Sequence, residues 1–292
     1  MNIFAKNALD LIGNTPLVEI ESPNKNVRIL VKLEKFNPSG SVKDRIIKEI
    51  LESSENKRLL TKDKILLEST SGNTGISLAM IGKLKGYEVN IVMPESMSIE
   101  RRKMIRVYDA KLILVPGTID DAANKARELA KNPKYFYINQ YANGYNILAH
   151  YKTTGPEIWK QTSGQITHFI AGIGTGGTIM GIGKYLKEKD PNIKIIGVEP
   201  HKNTPIQGLK NLEIQIKPDI LDLTKIDEKT IVTLEQTIRI QKDMTTKGLF
   251  LGLSSGAVIY AALEKAKKIK HGLIVVLSAD GGEKYLSITH DN

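Results

Sequence analysis

The chain alternates between two hydrophobic periods from one end to the other, and this alternation restricts its fold more than any other property. Short apolar-rich runs such as Val27 to Leu33, Glu88 to Met93 and Leu273 to Leu277 are separated by stretches where apolar residues recur every three or four positions, as in Ile46, Ile47, Ile50 and Leu51. Strand-length and helix-length patterns in turn predict an α/β fold in which helices cover mostly parallel sheets. The first series has strands at Lys64 to Glu68, Glu88 to Met93, Lys111 to Val115 and Tyr135 to Asn139, with helices at Asn73 to Lys85, Ser98 to Tyr108 and Ile119 to Lys131. The second has a long helix over Asn146 to Trp159, strands over Thr167 to Ala171, Lys194 to Glu199 and Leu273 to Leu277, and helices over Leu234 to Lys247 and Gly256 to Lys268. From His201 to Lys229 the periodicity fades, and a mobile loop is expected. At 292 residues the chain has room for two lobes with a cleft between them.

Chemistry concentrates where strands give way to helices. The run Gly172-Ile173-Gly174-Thr175-Gly176-Gly177-Thr178 follows a strand pattern and opens a helix pattern. Unpaired backbone N–H groups at such a junction converge with the positive end of the helix dipole, and a phosphate is the natural occupant. The same letters satisfy Gly-x-Gly-x-x-Gly through Gly172, Gly174 and Gly177. Glu199 follows roughly 20 residues on, where a ribose-binding acid belongs, so a nicotinamide-dependent dehydrogenase is a competing reading. A second junction, Thr70-Ser71-Gly72-Asn73-Thr74-Gly75, offers hydroxyls, an amide and N–H groups suited to a carboxylate. Alone, such a cluster is an ordinary helix cap; a second anion cradle is more than a dinucleotide site needs. Lys43 lies in Asn37-Pro38-Ser39-Gly40-Ser41-Val42-Lys43-Asp44-Arg45, just after a Pro/Gly turn and at the head of a helix pattern. A lysine beside a small-anion cradle points to Schiff-base chemistry, for which pyridoxal phosphate is the common cofactor.

Composition argues against several other classes. The net charge is +10, but the lysines are dispersed along helices and only 5% of residues are aromatic, so no nucleic-acid partner is expected. A chain without cysteine has no disulfide, thiolate zinc site, iron–sulfur cluster or cysteine nucleophile. The histidines, His150, His168, His201, His271 and His290, are too scattered for a metal site, and none is expected. No run approaches the roughly 18 apolar residues of a membrane span, and the N-terminus lacks the layout of a signal peptide. The expected location is cytoplasmic, with no membrane partner.

Asn37 to Arg45, Thr70 to Gly75, Gly174 to Thr178 and Gly252-Leu253-Ser254-Ser255-Gly256, in this order and spacing, resemble the cysteine synthases, within the tryptophan-synthase-β-like group of pyridoxal-phosphate enzymes. The likeness runs from Ile12-Gly13-Asn14-Thr15-Pro16-Leu17 to Gly282-Glu283-Lys284-Tyr285-Leu286-Ser287. It implies a two-lobe fold. Residues 1–39 and 145–292 would form the larger, cofactor-phosphate-binding lobe, and residues 40–144 a smaller mobile lobe whose carboxylate loop closes over the substrate. The implied enzyme is a transferase of amino-acid biosynthesis, an O-acetylserine sulfhydrylase type. It would join an activated L-serine, O-acetyl-L-serine or O-phospho-L-serine, to a sulfur donor by β-replacement through an aminoacrylate, giving L-cysteine. Cystathionine β-synthase and serine or threonine dehydratase are rivals of the same fold.

The same resemblance implies roles for particular residues. Lys43 would hold pyridoxal 5'-phosphate and act on the substrate α-proton, and Asn73 would bond the cofactor's ring oxygen. Gly174, Thr175, Gly176, Gly177 and Thr178 would hold the phosphate, and Thr70, Ser71, Gly72, Asn73 and Thr74 with Gln140 the substrate carboxylate. Some family members place a serine against the ring nitrogen at the position matching Gly281; glycine has no side chain to offer, so Ser254 would be the better candidate, and Ser254 with Ala279-Asp280-Gly281 resembles the cysteine synthase B branch. Lys210 stands where phosphoserine-using relatives carry arginine, and would meet the phosphate as a point charge rather than a fork. The implied partners are the amino-acid substrate, a sulfur donor that is sulfide, thiosulfate or a sulfur-carrier protein, and a second copy of the chain in a homodimer.

Overall fold

The computed structural model describes residues 4–70, 72–97 and 99–286. Its strands form two sheets. The larger uses β1 (Leu17–Ile20), β2 (Val27–Leu33), β7 (His168–Gly172), β8 (Lys194–Pro200), β9 (Glu228–Val232) and β10 (Gly272–Ser278), in the order β1-β2-β10-β7-β8-β9. The smaller uses β3 (Ile65–Ser69), β4 (Glu88–Pro94), β5 (Lys111–Val115) and β6 (Tyr135–Tyr137), in the order β5-β4-β3-β6. Only the β1–β2 pair is antiparallel among these strands.

Central strands read as apolar runs because both of their faces are covered. In β10, Ile274 and Val276 pack against helices α8 (Leu234–Thr246) and α9 (Leu253–Ala266), while Val275 and Leu277 pack with α7 (Gly177–Lys189) on the opposite face. The smaller sheet repeats the scheme. Leu66, Val89 and Ile91 meet α1 (Lys43–Asn56) and α2 (Asn73–Leu84), and Leu67 and Val92 meet α4 (Ile119–Leu129). Parallel strands carry their loops to one end, so the junctions after β3, β7 and β10 all open toward the space between the two sheets.

Three expectations need correction. The long helix over Asn146 to Trp159 is not uniform: α5 (Tyr145–Ala149) and α6 (Gly155–Gln161) flank a π-helical turn, His150–Thr154, in which Gly155 N–H donates to His150 O. Helix α9 starts at Leu253 rather than Gly256, which puts Ser254 in its first turn. The stretch from His201 to Lys229 is less irregular than its sequence, because β9 begins at Glu228 and the loop is pinned by buried Ile206, Asn211 and Leu221. Strands β1 and β9, which the pattern did not announce, are edge strands with one buried residue each. An edge strand half in water has no need of apolar alternation. Helix α3 (Ile99–Arg106) begins after Ser98, which lies outside the described residues. No described helix is long and apolar enough to cross a membrane.

Candidate active site

Lys43 is the first residue of α1, placed there by the turn at Gly40, whose φ of +78° suits glycine. The lysine is half-buried and lines a cavity of about 50 Å³. Facing it across that cavity are Gly174, Thr175, Gly176 and Thr178 from the head of α7, Ser254 from the head of α9, and Ala279 just after β10. The Lys43 amine makes no hydrogen bond or ion pair with another described residue. Burial lowers its pKa to about 8, with the charge of Asp280 working in the opposite direction. An amine titrating there is available as a neutral nucleophile or base far more often than a solvated lysine.

The phosphate cradle can form only with glycine. A Cβ on Gly174 would sit 2.7 Å from Gly208 O, and one on Gly177 would sit 1.9 Å from Asn146 Oδ1. Gly176, the N-cap of α7, has a φ of +89°. These constraints leave an open concave backbone at a helix N-terminus, which fits a phosphate. The residues present therefore fit pyridoxal phosphate: an amine for its aldehyde, an anion cradle for its phosphate, and a small hydroxyl, Ser254, in the wall between. Gly281 is not in that wall; Ala279 is, and it offers no polar group.

The second cradle forms at the head of α2. Thr70 is buried and its Oγ1 accepts from Gly72 N–H at 3.3 Å. Thr74 Oγ1 donates to Gln140 Oε1 at 2.8 Å, joining the loop after β3 to the loop after β6. Ser71 lies outside the described residues. Glu68 underlies both loops, accepting from Ser69 N–H at 2.8 Å and Gln140 N–H at 3.1 Å. Burial raises its pKa to about 8, and those two donors only partly offset the effect.

Asn73 ties the cradle to the Lys43 loop. Its Nδ2 donates to Asp280 Oδ2 at 2.7 Å, and its Oδ1 accepts from Lys284 Nζ at 2.9 Å. Lys284 Nζ also donates to the carbonyl oxygens of Ser39 and Gly40, each at 3.1 Å. Asp280 is buried, which raises its pKa, and it also accepts from Tyr285 OH at 2.6 Å. Lys284 and Tyr285 belong to the Gly282 to Ser287 motif and Asp280 lies two residues before it, and the sequence assigns none of the three a role. Nothing local marks the contacts of Asp280 and Lys284 with Asn73, which lies 207 and 211 positions away.

Behind Lys43 is a buried ionic cluster. Arg45, two residues on, forks onto Glu34 at 2.6 and 2.9 Å and onto Glu157 at 2.7 Å through each terminal nitrogen. Lys32 joins Glu157 at 2.7 Å and Thr15 O at 2.6 Å. Two cations and two carboxylates balance, and the cluster ties β2, the Thr15 loop, α1 and α6 together. Buried ion pairs add little net stability but penalise any rearrangement that separates them, so the head of α1 has one permitted position.

Two sequence expectations fall elsewhere. Glu199, the acid of the dinucleotide reading, accepts from Leu212 N–H and from Lys229 Nζ, each at 2.9 Å, and is buried as a pin for the loop. A ribose-binding role is not free to it. Lys210 is not part of the cavity wall. Its N–H donates to Ile173 O at 2.7 Å, and its ammonium lies 4.9 Å from the centre of the Tyr141 ring, beside Gln140. Burial lowers its pKa, and Asp120 works against that shift.

Comparison with known proteins agrees with this geometry. The family model for pyridoxal-phosphate dependent enzymes matches residues 8–280. A cysteine synthase of Aquifex aeolicus is 45% identical, the match covering 96% of this chain and 90% of the relative. A cysteine synthase B of Salmonella typhimurium is 39% identical, covering 94% and 93%. The crystal structure of a hydrogen sulfide-producing enzyme from Fusobacterium nucleatum superposes with a TM-score of 0.93 at 41% identity, covering 98% of this chain and 99% of that one.

Proposed function

The chain belongs to the pyridoxal-phosphate dependent enzymes, within their cysteine synthase group, and from that premise we propose which of its residues make L-cysteine and how. The reaction is a β-replacement on an activated L-serine: the substituent on Cβ leaves, and a sulfur donor takes its place. When bound, pyridoxal phosphate supplies an aldehyde that condenses with an amine and an electron sink for the bond electrons released at Cα. Lys43 would be the amine that holds the cofactor and, once released, the base that takes the substrate α-proton. Gly174, Thr175, Gly176, Gly177 and Thr178 hold the phosphate.

Ser254 would be a neutral hydroxyl partner for the ring nitrogen and would not force that nitrogen to stay protonated. A milder sink favours loss of the β-substituent over transamination. Thr70, Ser71, Gly72, Asn73 and Thr74, with Gln140, hold the substrate carboxylate. Asn73, which bonds Asp280 in the structure, would hydrogen-bond the cofactor's ring oxygen. Residues 40–144 form a smaller lobe beside residues 1–39 and 145–292, and its carboxylate loop moves to shut water out while Arg45 keeps the head of α1 tied to Glu34 and Glu157. Lys210 meets the leaving group when that group is a phosphate. A cytoplasmic homodimer, and a sulfur-carrier protein among the donors, belong to the same proposal and rest on the family likeness alone.

The observation that carries this reading is the Lys43 amine, with no partner among the described residues and its pKa lowered by burial to about 8, in one cavity with a glycine-walled anion cradle. Reduction of the coenzyme-loaded protein with borohydride, followed by peptide mass spectrometry, should place the label on Lys43. A label on another lysine, or a protein that takes up no coenzyme, refutes it.

A further inference from the structure

Asn146 and His150 stand four residues apart and reach the two hydroxyls of the phosphate cradle. Asn146 Nδ2 lies 3.1 Å from Thr175 Oγ1, and His150 Nε2 lies 3.1 Å from Thr178 Oγ1. Both side chains are 0% exposed. Their reach depends on α7 lying backbone-close to the α5 segment. A Cβ on Gly181 would sit 2.3 Å from Ile147 O and 2.7 Å from His150 Cβ. The π-helical turn starts at His150, and such turns recur where a helix carries functional side chains.

The direction of the Asn146 bond follows from its other partner. Asn146 Nδ2 is also 2.8 Å from Gln140 O, and a carbonyl can only accept, so nitrogen rather than oxygen faces both neighbours. Thr175 Oγ1 is therefore an acceptor here, and its own proton is free for the cradle. His150 poses the same question with two answers. Burial, and after it the cations Arg45 and Lys43, hold its pKa well below the usual histidine range, so the ring is neutral and has one donor and one acceptor nitrogen. Nδ1 lies 2.9 Å from Thr154 Oγ1, at the end of the π turn. If Thr178 donated to His150, it would turn an oxygen lone pair toward the anion.

We infer that Asn146 and His150 are positioning residues of the cofactor-phosphate cradle: each donates to a cradle threonine, so that the hydroxyl protons of Thr175 and Thr178 both point at the phosphate. The histidine then carries its proton on Nε2 and accepts from Thr154 at Nδ1. This rests on the reading of Gly174 to Thr178 as the phosphate site.

The test is the dissociation constant of pyridoxal phosphate for the resolved full-length chain, read with the ³¹P resonance of the bound cofactor. His150→Asn, which lacks a donor where Nε2 stood, should weaken binding about tenfold to a hundredfold, as should Asn146→Asp. His150→Gln, whose amide nitrogen reaches that position, should restore affinity to within about twofold of the parent. Thr178→Val should show the His150→Asn loss, and the double variant should lose no more than Thr178→Val alone. Losses that add, or a Gln variant as weak as the Asn variant, overturn the inference and leave the phosphate site standing. Unchanged affinity and ³¹P shift in Thr175→Val and Thr178→Val overturn the phosphate site itself. Should the His150 variants not fold, the ¹⁵N spectrum of the parent imidazole decides: a proton on Nε2 supports the inference, and one on Nδ1 overturns it.

Discussion

Replacing Lys43 by methionine should stabilise the coenzyme-free chain at neutral pH. The lysine's pKa falls from 10.5 to about 8 in the folded protein, chiefly through burial. That difference is about 2.5 units, and at about 1.4 kcal/mol per unit it corresponds to roughly 3 kcal/mol against folding while the amine is protonated. The unfolded chain binds more protons between about pH 8 and about pH 10.5, so stability rises with pH across that window. The favourable part is complete above the upper value and lost as pH falls through the lower one. Methionine is of similar length and carries no charge, so it escapes the penalty at every pH. Urea unfolding of both coenzyme-free proteins should show the methionine variant ahead by up to about 3 kcal/mol near pH 7, with the gap closing above about pH 10.5. Packing differences are common to both pH values and cancel in the comparison. A gap that is the same at both, or a variant less stable at neutral pH by a constant amount, would mean the amine is solvated like any surface lysine. The reactive base would then have no structural origin. With a pKa of about 8, about one amine in ten is neutral at pH 7, against roughly one in three thousand for an ordinary lysine. The stability given up and the reactivity gained have the same cause.

Further perturbations probe the parts around the lysine. Glu157 keeps its charge against burial because Arg45 and Lys32 hold its pKa down to about 2, so its contribution is present above its ordinary value and lost as pH falls through about 2. Glu157→Gln should therefore cost about 3 kcal/mol at neutral pH in urea unfolding, with the deficit shrinking as the parent is acidified from about pH 4.5 toward about pH 2. Gly177→Ala puts a carbon 1.9 Å from Asn146 Oδ1, so coenzyme affinity should fall by at least about tenfold in equilibrium titration. Lys210→Ala should raise KM for O-phospho-L-serine selectively; equal changes for O-acetyl-L-serine would remove it from leaving-group recognition.

The glycine loops and the lysine were legible in the sequence because their requirements are local. A left-handed turn at Gly176, or a backbone approach at Gly174, excludes every side chain, and such a constraint is written one residue at a time. The interior strands and their helices were legible for a similar reason, since covering a strand on both faces or a helix on one imposes a period on the residues themselves. Edge strands β1 and β9 escaped because water satisfies their outer side and relaxes the pattern.

What the chain alone determined was thus the alternating architecture, the junctions that can hold an anion, and the amine placed beside them. Tertiary structure alone decided the rest: that Asn73 meets Asp280, separated by 207 positions, that Glu199 is consumed by Leu212 and Lys229, and that Ala279 rather than Gly281 walls the cavity. Hydrogen bonds and ion pairs depend on distances of a few ångströms between groups that the chain separates by 13 positions in one case and 207 in another. No local period records which of those groups will meet once the two sheets close on the space between them.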